Sequence, residues 1–230
     1  MAKPYLDQPT KWLKSTLMPS KDGIIKNVSS GSTPSTRNDN YWGGNIPWLT
    51  PKEITNLDGQ LYVSSTERYV THEGIASSSA KILQPGTVML SKRAPVGCVV
   101  INSVPMATNQ GFLNFECGPM IRPKYLAYWL KVNKLYLDKV ANGSTYPELY
   151  KYDLFEFEIA VPTLEEQDKV VNFISSLQYV ELLGVPIEQS SSTAEEMLRI
   201  HDRNKSIKAI INKIMPLMLA GEIKVDDLIG

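Results

Sequence analysis

Residues 81–139 carry a group of cationic side chains that could bind a polyanion. The group consists of Lys81, Lys92, Arg93, Arg122, Lys124, Lys131, Lys134 and Lys139, and the same stretch contains only Glu116 and Asp138 as acids. An excess of lysine and arginine on one portion of a protein attracts phosphate-bearing partners. Chance clustering on a solvated surface explains the pattern equally well, so charge alone leaves both interpretations open.

The basic excess is hidden in the overall charge, which is zero from 24 Lys and Arg against 24 Asp and Glu. Residues 1–140 hold 16 basic and 9 acidic residues, whereas residues 141–230 hold 8 and 15. Charge asymmetry of this kind is a reason to suspect that one portion of the chain meets a polyanion. The apolar content of 43% is ordinary for a globular protein.

Signatures of catalysis and of metal binding are missing from the sequence, and no glycine-rich phosphate loop precedes a Lys-Ser/Thr pair. His72 and His201 lie far apart, and Cys98 and Cys117 show neither disulfide nor zinc spacing. We therefore expect a binding module without catalytic residues, metal or cofactor. With no signal peptide and no membrane-spanning apolar run, we also expect a cytoplasmic protein that does not contact membranes.

Turn-forming residues divide the region 20–162 into short apolar segments, which predicts a compact mixed domain. Strands are expected at 24–28, 62–64, 88–91, 98–101 and 155–161, the last with alternating apolar and polar side chains. One helix is expected over 123–140, ended by Asn142 and Gly143. The expected fold class is α/β or α+β, with short strands and a few helices.

From residue 163 onward the sequence is typical of long helices. Thr163 fits the N-cap of a first helix that ends near residue 183. A second helix over about 193–220 should end at Gly221, and Pro216 inside it should cause a kink or an early end. Its apolar residues recur every three or four positions, as in a coiled-coil seam. The seam consists of Met197, Ile200, Asn204, Ile207, Ile211, Ile214 and Met218.

The long helix requires a partner along its seam. At about 1.5 Å per residue it spans roughly 40 Å, which is more than the first helix can cover. The seam residues are therefore expected to form a dimer or partner interface. Asn204 at a core position either fixes the register of that interface or marks a local break where the amide meets water.

Seven short motifs resemble those of the specificity subunits of type I restriction-modification systems. In chain order they are GSTPST (31–36), YWGGNIPWLTPKE (41–53), GTVMLSKRAPVG (86–97), ATNQGF (107–112), GSTY (143–146), VPTLEEQ (161–167) and LAGEI (219–223). Each motif is weak alone, but together they follow the family's order over nearly the whole chain.

The resemblance implies a mixed α/β target-recognition domain over 1–162 and a helical region over 163–230 for dimerisation and subunit binding. Family members usually carry two such units, whereas this sequence carries one and so resembles a half-size subunit. The implied partners are double-stranded DNA and the methyltransferase and restriction subunits, and this chain itself would hold no cofactor. We expect a homodimer with antiparallel long helices, which reads a two-part palindromic DNA site.

If the domain binds DNA, cations should contact phosphates and projecting side chains should contact base edges. Lys92 and Arg93 occupy a turn between two strands, and Arg93 suits bidentate binding of guanine or phosphate, although a merely solvated turn is the alternative. The further candidates are Lys52, Arg68, Lys81, Asn109, Gln110, Ser144 and Thr145. The two amides are better explained by a turn, and the two hydroxyls equally well by a helix cap.

Other functions remain open from the sequence. A recognition module detached from a single-chain restriction-methyltransferase would show the same motifs. A scaffold or decoy would keep the helices to bind partner subunits but would not read DNA. A hydrolase with an unrecognised site is disfavoured by the missing clusters of histidine and acid.

Overall fold

The computed structural model describes residues 12–57, 59–141, 147–155, 157–183, 209–225 and 228, without the side chains of 177–183. The strands are β1 (Leu13–Thr16), β2 (Ile25–Ser30), β3 (Trp42–Leu49), β4 (Tyr62–Val63), β5 (Tyr69–Val70), β6 (Val88–Ser91), β7 (Val99–Asn102), β8 (Ala107–Thr108), β9 (Phe112–Cys117) and β10 (Glu158–Val161). The helices are α1 (Pro51–Thr55), α2 (His72–Ala76), α3 (Pro123–Val132), α4 (Lys134–Ala141), α5 (Lys151–Phe155), α6 (Leu164–Leu183) and α7 (209–219). Short strands with a few helices are the mixed α/β class predicted from the sequence.

The strands form a main sheet, a second sheet and a two-stranded ribbon. The main sheet has the order β2-β9-β6-β7-β4, the second has the order β5-β3-β8, and β1 pairs with β10. Strands β6 and β7 are buried along their whole length, which explains why their sequences are apolar runs without alternation. In the ribbon, Leu13 pairs with Val161, so the beginning of the described chain meets the segment that leads into α6.

Helix α3 lies at the centre of the molecule and has no solvent-exposed face along its middle. All six residues from Tyr125 to Leu130 are buried, which a surface helix with one apolar stripe would not show. The helix contacts β6, β7 and α6. Towards the ribbon, the Tyr125 hydroxyl donates to the Ala160 carbonyl at 3.0 Å, and the Trp129 and Phe157 rings meet edge-on with centroids 6.2 Å apart. The main sheet, the two-stranded ribbon and α6 therefore all pack against α3.

The predicted helix over 123–140 is instead two helices that meet at Asn133. The backbone of Asn133 leaves the α region, with ψ at 11°. Its side-chain amide donates to the Trp129 carbonyl at 2.9 Å, a local bond of the kind that competes with helix continuation. Helix α4 then restarts at Lys134 and ends at Ala141.

Most predicted strands are confirmed with small shifts of their ends. The segments 88–91 and 98–101 correspond to β6 and β7, and 24–28 and 62–64 correspond to β2 and β4. The strand predicted over 155–161 is shorter, because Phe155 belongs to α5 and β10 begins at Glu158. Asp153 accepts a hydrogen bond from the Tyr150 amide at 2.8 Å, which favours a helical turn at that point.

The start of α6 has the predicted cap. The Thr163 hydroxyl accepts from the Glu166 amide at 3.3 Å, and the Glu166 carboxylate accepts from the Thr163 amide at 3.1 Å. This reciprocal pair is a capping box. It fixes the point at which the chain leaves β10 and becomes helical.

A buried amide fastens α6 to the core. Gln167 is fully buried, and its side-chain amide donates to the carbonyls of Met120 and Pro162 at 2.8 and 2.9 Å. Its side-chain oxygen accepts from the Arg122 backbone amide at 2.8 Å. One side chain thus joins α6, the end of β10 and the segment that enters α3.

Helix α7 packs seam residues into the core of the chain itself. Met218 is fully buried in the main apolar cluster, Ile214 packs against that cluster, and Ile211 is 6% exposed. The chain's own core therefore covers Met218 completely and Ile214 in part, while the interface role of the seam residues stays a prediction. The other seam residues, Met197, Ile200, Asn204 and Ile207, lie outside the described residues.

Pro216 does not end helix α7 early. The helix continues to residue 219 and stops just before Gly221, where its end was predicted. Burial of Met218 and Leu219 favours this continuation against the one backbone hydrogen bond that a proline removes.

Replacing Gln167 with alanine should destabilise the fold by about 3 kcal/mol, because three backbone groups, one buried and two part-buried, lose their partner. Urea unfolding measures this change in free energy. Asn172 provides the matched control, since it is an exposed residue on the same helix and Asn172→Ala removes no buried hydrogen bond. Equal losses for the two variants would contradict the anchoring role of Gln167.

Candidate nucleic-acid interface

Lys92 and Arg93 lie on the turn between β6 and β7 and share one carboxylate. Lys92 Nζ is 2.9 Å from Glu148 Oε1, and Arg93 Nη2 is 3.1 Å from Glu148 Oε2. The side chains of Lys92, Arg93 and Glu148 are 13%, 50% and 18% exposed. Of the two predicted contacts, Arg93 therefore projects towards solvent, whereas Lys92 is largely enclosed.

The two cations keep Glu148 ionised. Partial burial by itself raises the pKa of a carboxyl group, but the hydrogen bonds and charges of Lys92 and Arg93 outweigh it and lower the pKa of Glu148. Because each carboxylate oxygen is occupied by a different cation, this triad carries one positive charge instead of two.

Two further loops pack beside this turn. The Lys92 amide donates to the Gly111 carbonyl at 2.8 Å, and the Ser32 amide donates to the Thr108 carbonyl at 3.0 Å. The Thr33 hydroxyl donates to the side-chain oxygen of Gln110 at 2.6 Å. These bonds join residues 31–36, 92–95 and 109–111, which we call the three-loop surface.

Close packing holds the three-loop surface in one conformation. A Cβ at Gly31 would collide with the Asn109 carbonyl, and a Cβ at Gly111 would lie 2.7 Å from Pro51 Cγ. The Asn109 side-chain oxygen accepts from the Gly111 amide at 2.8 Å, as in an Asx turn. Asn109 thus supports the turn, while Gln110 is exposed beside it.

Arg68 lies over a pair of tryptophans next to loop 31–36. Its guanidinium carbon is 3.6 Å from the Trp42 ring centroid and 5.4 Å from that of Trp48. The two indole rings meet edge-on at 5.0 Å, and their N–H groups donate to the Ser35 and Ser32 carbonyls. This cation–π contact orients an exposed arginine on a rigid aromatic support.

Of the four remaining candidate residues, the structure describes Lys52 and Lys81. Lys52 is exposed on α1, directly after Pro51, which contacts the three-loop surface at Gly111. Lys81 is exposed and follows α2. Ser144 and Thr145 lie outside the described residues. The structure therefore brings Lys92, Arg93, Asn109 and Gln110 into one surface, with Lys52 and Arg68 beside it.

Several other cations of the stretch 81–139 are engaged within the chain. Arg122 makes a bidentate pair with Asp168 at 2.8 and 2.9 Å. Lys134 contacts Asp138 at 3.0 Å and donates to the Val96 carbonyl at 2.8 Å. Burial lowers the pKa of Lys131. These residues therefore contribute less to an external cationic surface than their number suggests.

Glu148 is the interface residue that sequence analysis missed. It lies more than fifty positions after Lys92, and no local periodicity connects the two residues. Two backbone contacts bring them together, since the Leu149 amide donates to the Lys92 carbonyl at 2.9 Å and Arg93 forms an isolated β-bridge with Glu148. No pattern in the sequence marks Glu148.

The described part of the chain shows no helix long and apolar enough to cross a membrane. Within the same residues, no group of three or more His, Cys, Asp or Glu side chains is arranged to hold a metal ion.

Comparison with protein families matches residues 21–184 to the type I restriction modification DNA specificity domain. The specificity subunit of type I restriction enzyme MjaIX from Methanocaldococcus jannaschii is 42% identical over 153 residues, covering 66% of this chain and 35% of that protein. The EcoR124I/EcoR124II specificity subunit from Escherichia coli is 28% identical over 159 residues, covering 66% of this chain and 38% of that protein. This chain thus spans well under half the length of these curated relatives.

Solved structures show the same fold. The HsdS subunit from Thermoanaerobacter tengcongensis aligns with a TM-score of 0.59 at 20% identity, covering 94% of this chain and 47% of that one. The S subunit of a type I restriction-modification system from M. genitalium aligns with a TM-score of 0.51 at 16% identity, covering 80% and 44%. At these identities the similarity establishes the mixed α/β architecture alone.

The lowered pKa of Glu148 predicts a pH-dependent contribution to stability. An ionised Glu148 stabilises the fold above its unfolded pKa of about 4.3, and this contribution is lost as the pH falls through the lower, folded pKa. The difference in unfolding free energy between wild type and Glu148→Gln should be largest near neutral pH and shrink on acidification. Urea denaturation across this range tests it, and a difference that grows in acid would contradict the ion-pair assignment.

Proposed function

The chain belongs to the family of type I restriction modification DNA specificity domains, and from this premise we propose that it is a non-catalytic subunit that directs partner enzymes to a DNA sequence. The observation that carries the proposal is the extent of the family match. The matched residues 21–184 include the whole three-loop surface, Arg68 with its tryptophan support, and the start of α6.

The three-loop surface has the properties that sequence-specific DNA binding requires. Phosphate contacts supply affinity, whereas base contacts need side chains held in fixed positions. Arg93 and Arg68 are exposed cations with restricted orientations, since one is paired to Glu148 and the other lies over Trp42. The surrounding backbone is fixed by hydrogen bonds between the loops, so little ordering entropy is lost on binding.

We assign different roles to the predicted contact residues. Arg93 and Gln110 are proposed to meet base edges, since arginine suits guanine and an amide suits adenine. Exposed cations outside the surface are proposed to contact phosphates, as are two hydroxyls of residues that the structure does not describe. These phosphate-contacting residues are Arg68, Lys52, Lys81, Ser144 and Thr145. Lys92 and Asn109 are proposed to support the loops.

The proposed partners follow from the family. A methyltransferase subunit would bring S-adenosylmethionine, and a restriction subunit would cut DNA, so this chain would bind no cofactor and would work in the cytoplasm. The division into a recognition domain over 1–162 and a helical region over 163–230 is proposed on the same basis. The capped start of α6 at Thr163 supports a boundary there.

We further propose that two copies pair through the upstream part of the long helix. The seam positions proposed for another chain are Met197, Ile200, Asn204 and Ile207, because Ile211 and Met218 are buried within the chain itself and Ile214 packs against its core. Antiparallel pairing would place one recognition domain at each end of the dimer, and the DNA site would then be two-part and palindromic.

Selection from a random pool of duplex DNA tests the central proposal. With the methyltransferase subunit present, the chain should enrich one two-part sequence, and raising the salt concentration should weaken all binding while retaining that preference. A scaffold or decoy would enrich no sequence. Methyl transfer by the chain alone, on addition of S-adenosylmethionine, would contradict its non-catalytic role.

Two glutamate substitutions on the long helix should have different effects. Ile207→Glu should convert the dimer to a monomer of 25.7 kDa in light scattering while the chain stays folded. Met218→Glu should lower the unfolding free energy by about 3 kcal/mol or more, because it places a charge in the core. A wild-type chain that is strictly monomeric at micromolar concentration would overturn the dimer.

A further inference from the structure

We propose that Glu148 sets the DNA selectivity of this chain by competing with phosphate for Lys92 and Arg93 and by orienting Arg93 towards bases. This inference rests on the proposed function and assigns a specificity role to an acid outside the predicted DNA contacts. Its basis is the single carboxylate that binds both cations of the turn, at 2.9 and 3.1 Å.

Glu148 reduces the positive charge that the turn offers to DNA. Sequence-independent binding depends on how many cations neutralise phosphates, and each such contact adds about 0.9 to the salt slope. With Glu148 in place, the triad offers one positive charge, and its carboxylate repels an approaching phosphate. Glu148 therefore reduces binding to arbitrary DNA.

Glu148 also restricts the orientation of the Arg93 side chain. Glu148 contacts Arg93 through Nη2, and the arginine side chain is half-exposed, so the rest of its guanidinium can face a ligand. A side chain held in one orientation before binding loses less entropy when it makes a bidentate contact with guanine. The same carboxylate that opposes phosphate binding therefore favours base recognition.

The position of Glu148 does not depend on the ion pairs alone. The backbone of Arg93 forms an isolated β-bridge with that of Glu148, and the Leu149 amide donates to the Lys92 carbonyl at 2.9 Å. These backbone contacts persist in Glu148→Gln, which has nearly the same shape. The variant should thus fold and differ from wild type in charge, and thermal unfolding checks that it does.

The experiment compares wild type and Glu148→Gln by fluorescence anisotropy on two labelled duplexes, the selected sequence and a scrambled one, across a range of salt concentrations. For the scrambled duplex we expect several-fold tighter binding and a salt slope larger by about one. For the selected duplex we expect little gain, so the ratio of the two affinities should fall several-fold. Adding Arg93→Gln to the variant should return the salt slope to the wild-type value.

Asp168→Asn is the matched control, because it removes one carboxylate from an arginine pair away from the turn, that of Arg122. It changes net charge equally and should leave the affinity ratio unaltered. Equal tightening on both duplexes, or no change on either, would overturn the role of Glu148 while DNA recognition stands. Absence of binding by wild type to the selected duplex would instead refute the proposed function itself.

Discussion

The complete burial of the middle of α3 is the constraint on which the rest of the structure depends. Because Tyr125 to Leu130 have no face towards water, the sheet and the ribbon must present apolar surface to the helix, and polar residues can stand only at its ends. Gln167 therefore binds the Arg122 amide at the first turn, and Asn133 breaks the helix at its last. Cations that flank α3 cannot form one continuous stripe along it. Arg93 and Arg68, two exposed cations with defined partners, lie on loops.

The opposite charges of the two parts of the chain partly meet inside the fold. Asp168 binds Arg122, and Glu148 binds Lys92 and Arg93, so acids from the region after residue 140 neutralise cations before it. The sequence suggested a basic part for DNA and an acidic part for protein partners. That division into a basic and an acidic part applies only to the charged side chains that do not take part in these ion pairs. The number of exposed cations with defined orientation is therefore a better guide to DNA binding than the net charge of a segment.

Elements that short sequence patterns determine were predicted from the sequence. Features that depend on contacts between distant segments were not. The strand at 88–91 and the cap at Thr163 follow from apolar runs and a capping box, and both are present. The break at Asn133 depends on one side-chain bond inside an apolar pattern that continues on either side. The pairing of Glu148 with the 92–93 turn, and the burial of Met218 in its own core, depend on contacts between distant segments, which no window of sequence contains.

The recognisable motifs of this chain are therefore better understood as scaffold than as DNA-reading residues. Gly31 and Gly111 are needed because neighbouring backbone and Pro51 leave no room for a side chain, and Asn109 closes the turn between them. These residues fix the backbone of the loops. Outward side chains such as that of Gln110 are not restricted by this close packing. A change of an outward side chain alters which base it can meet without disturbing the packing beneath. A fold built in this way can retain its motifs while its DNA sequence preference changes, which is the physical requirement for a subunit whose task is specificity.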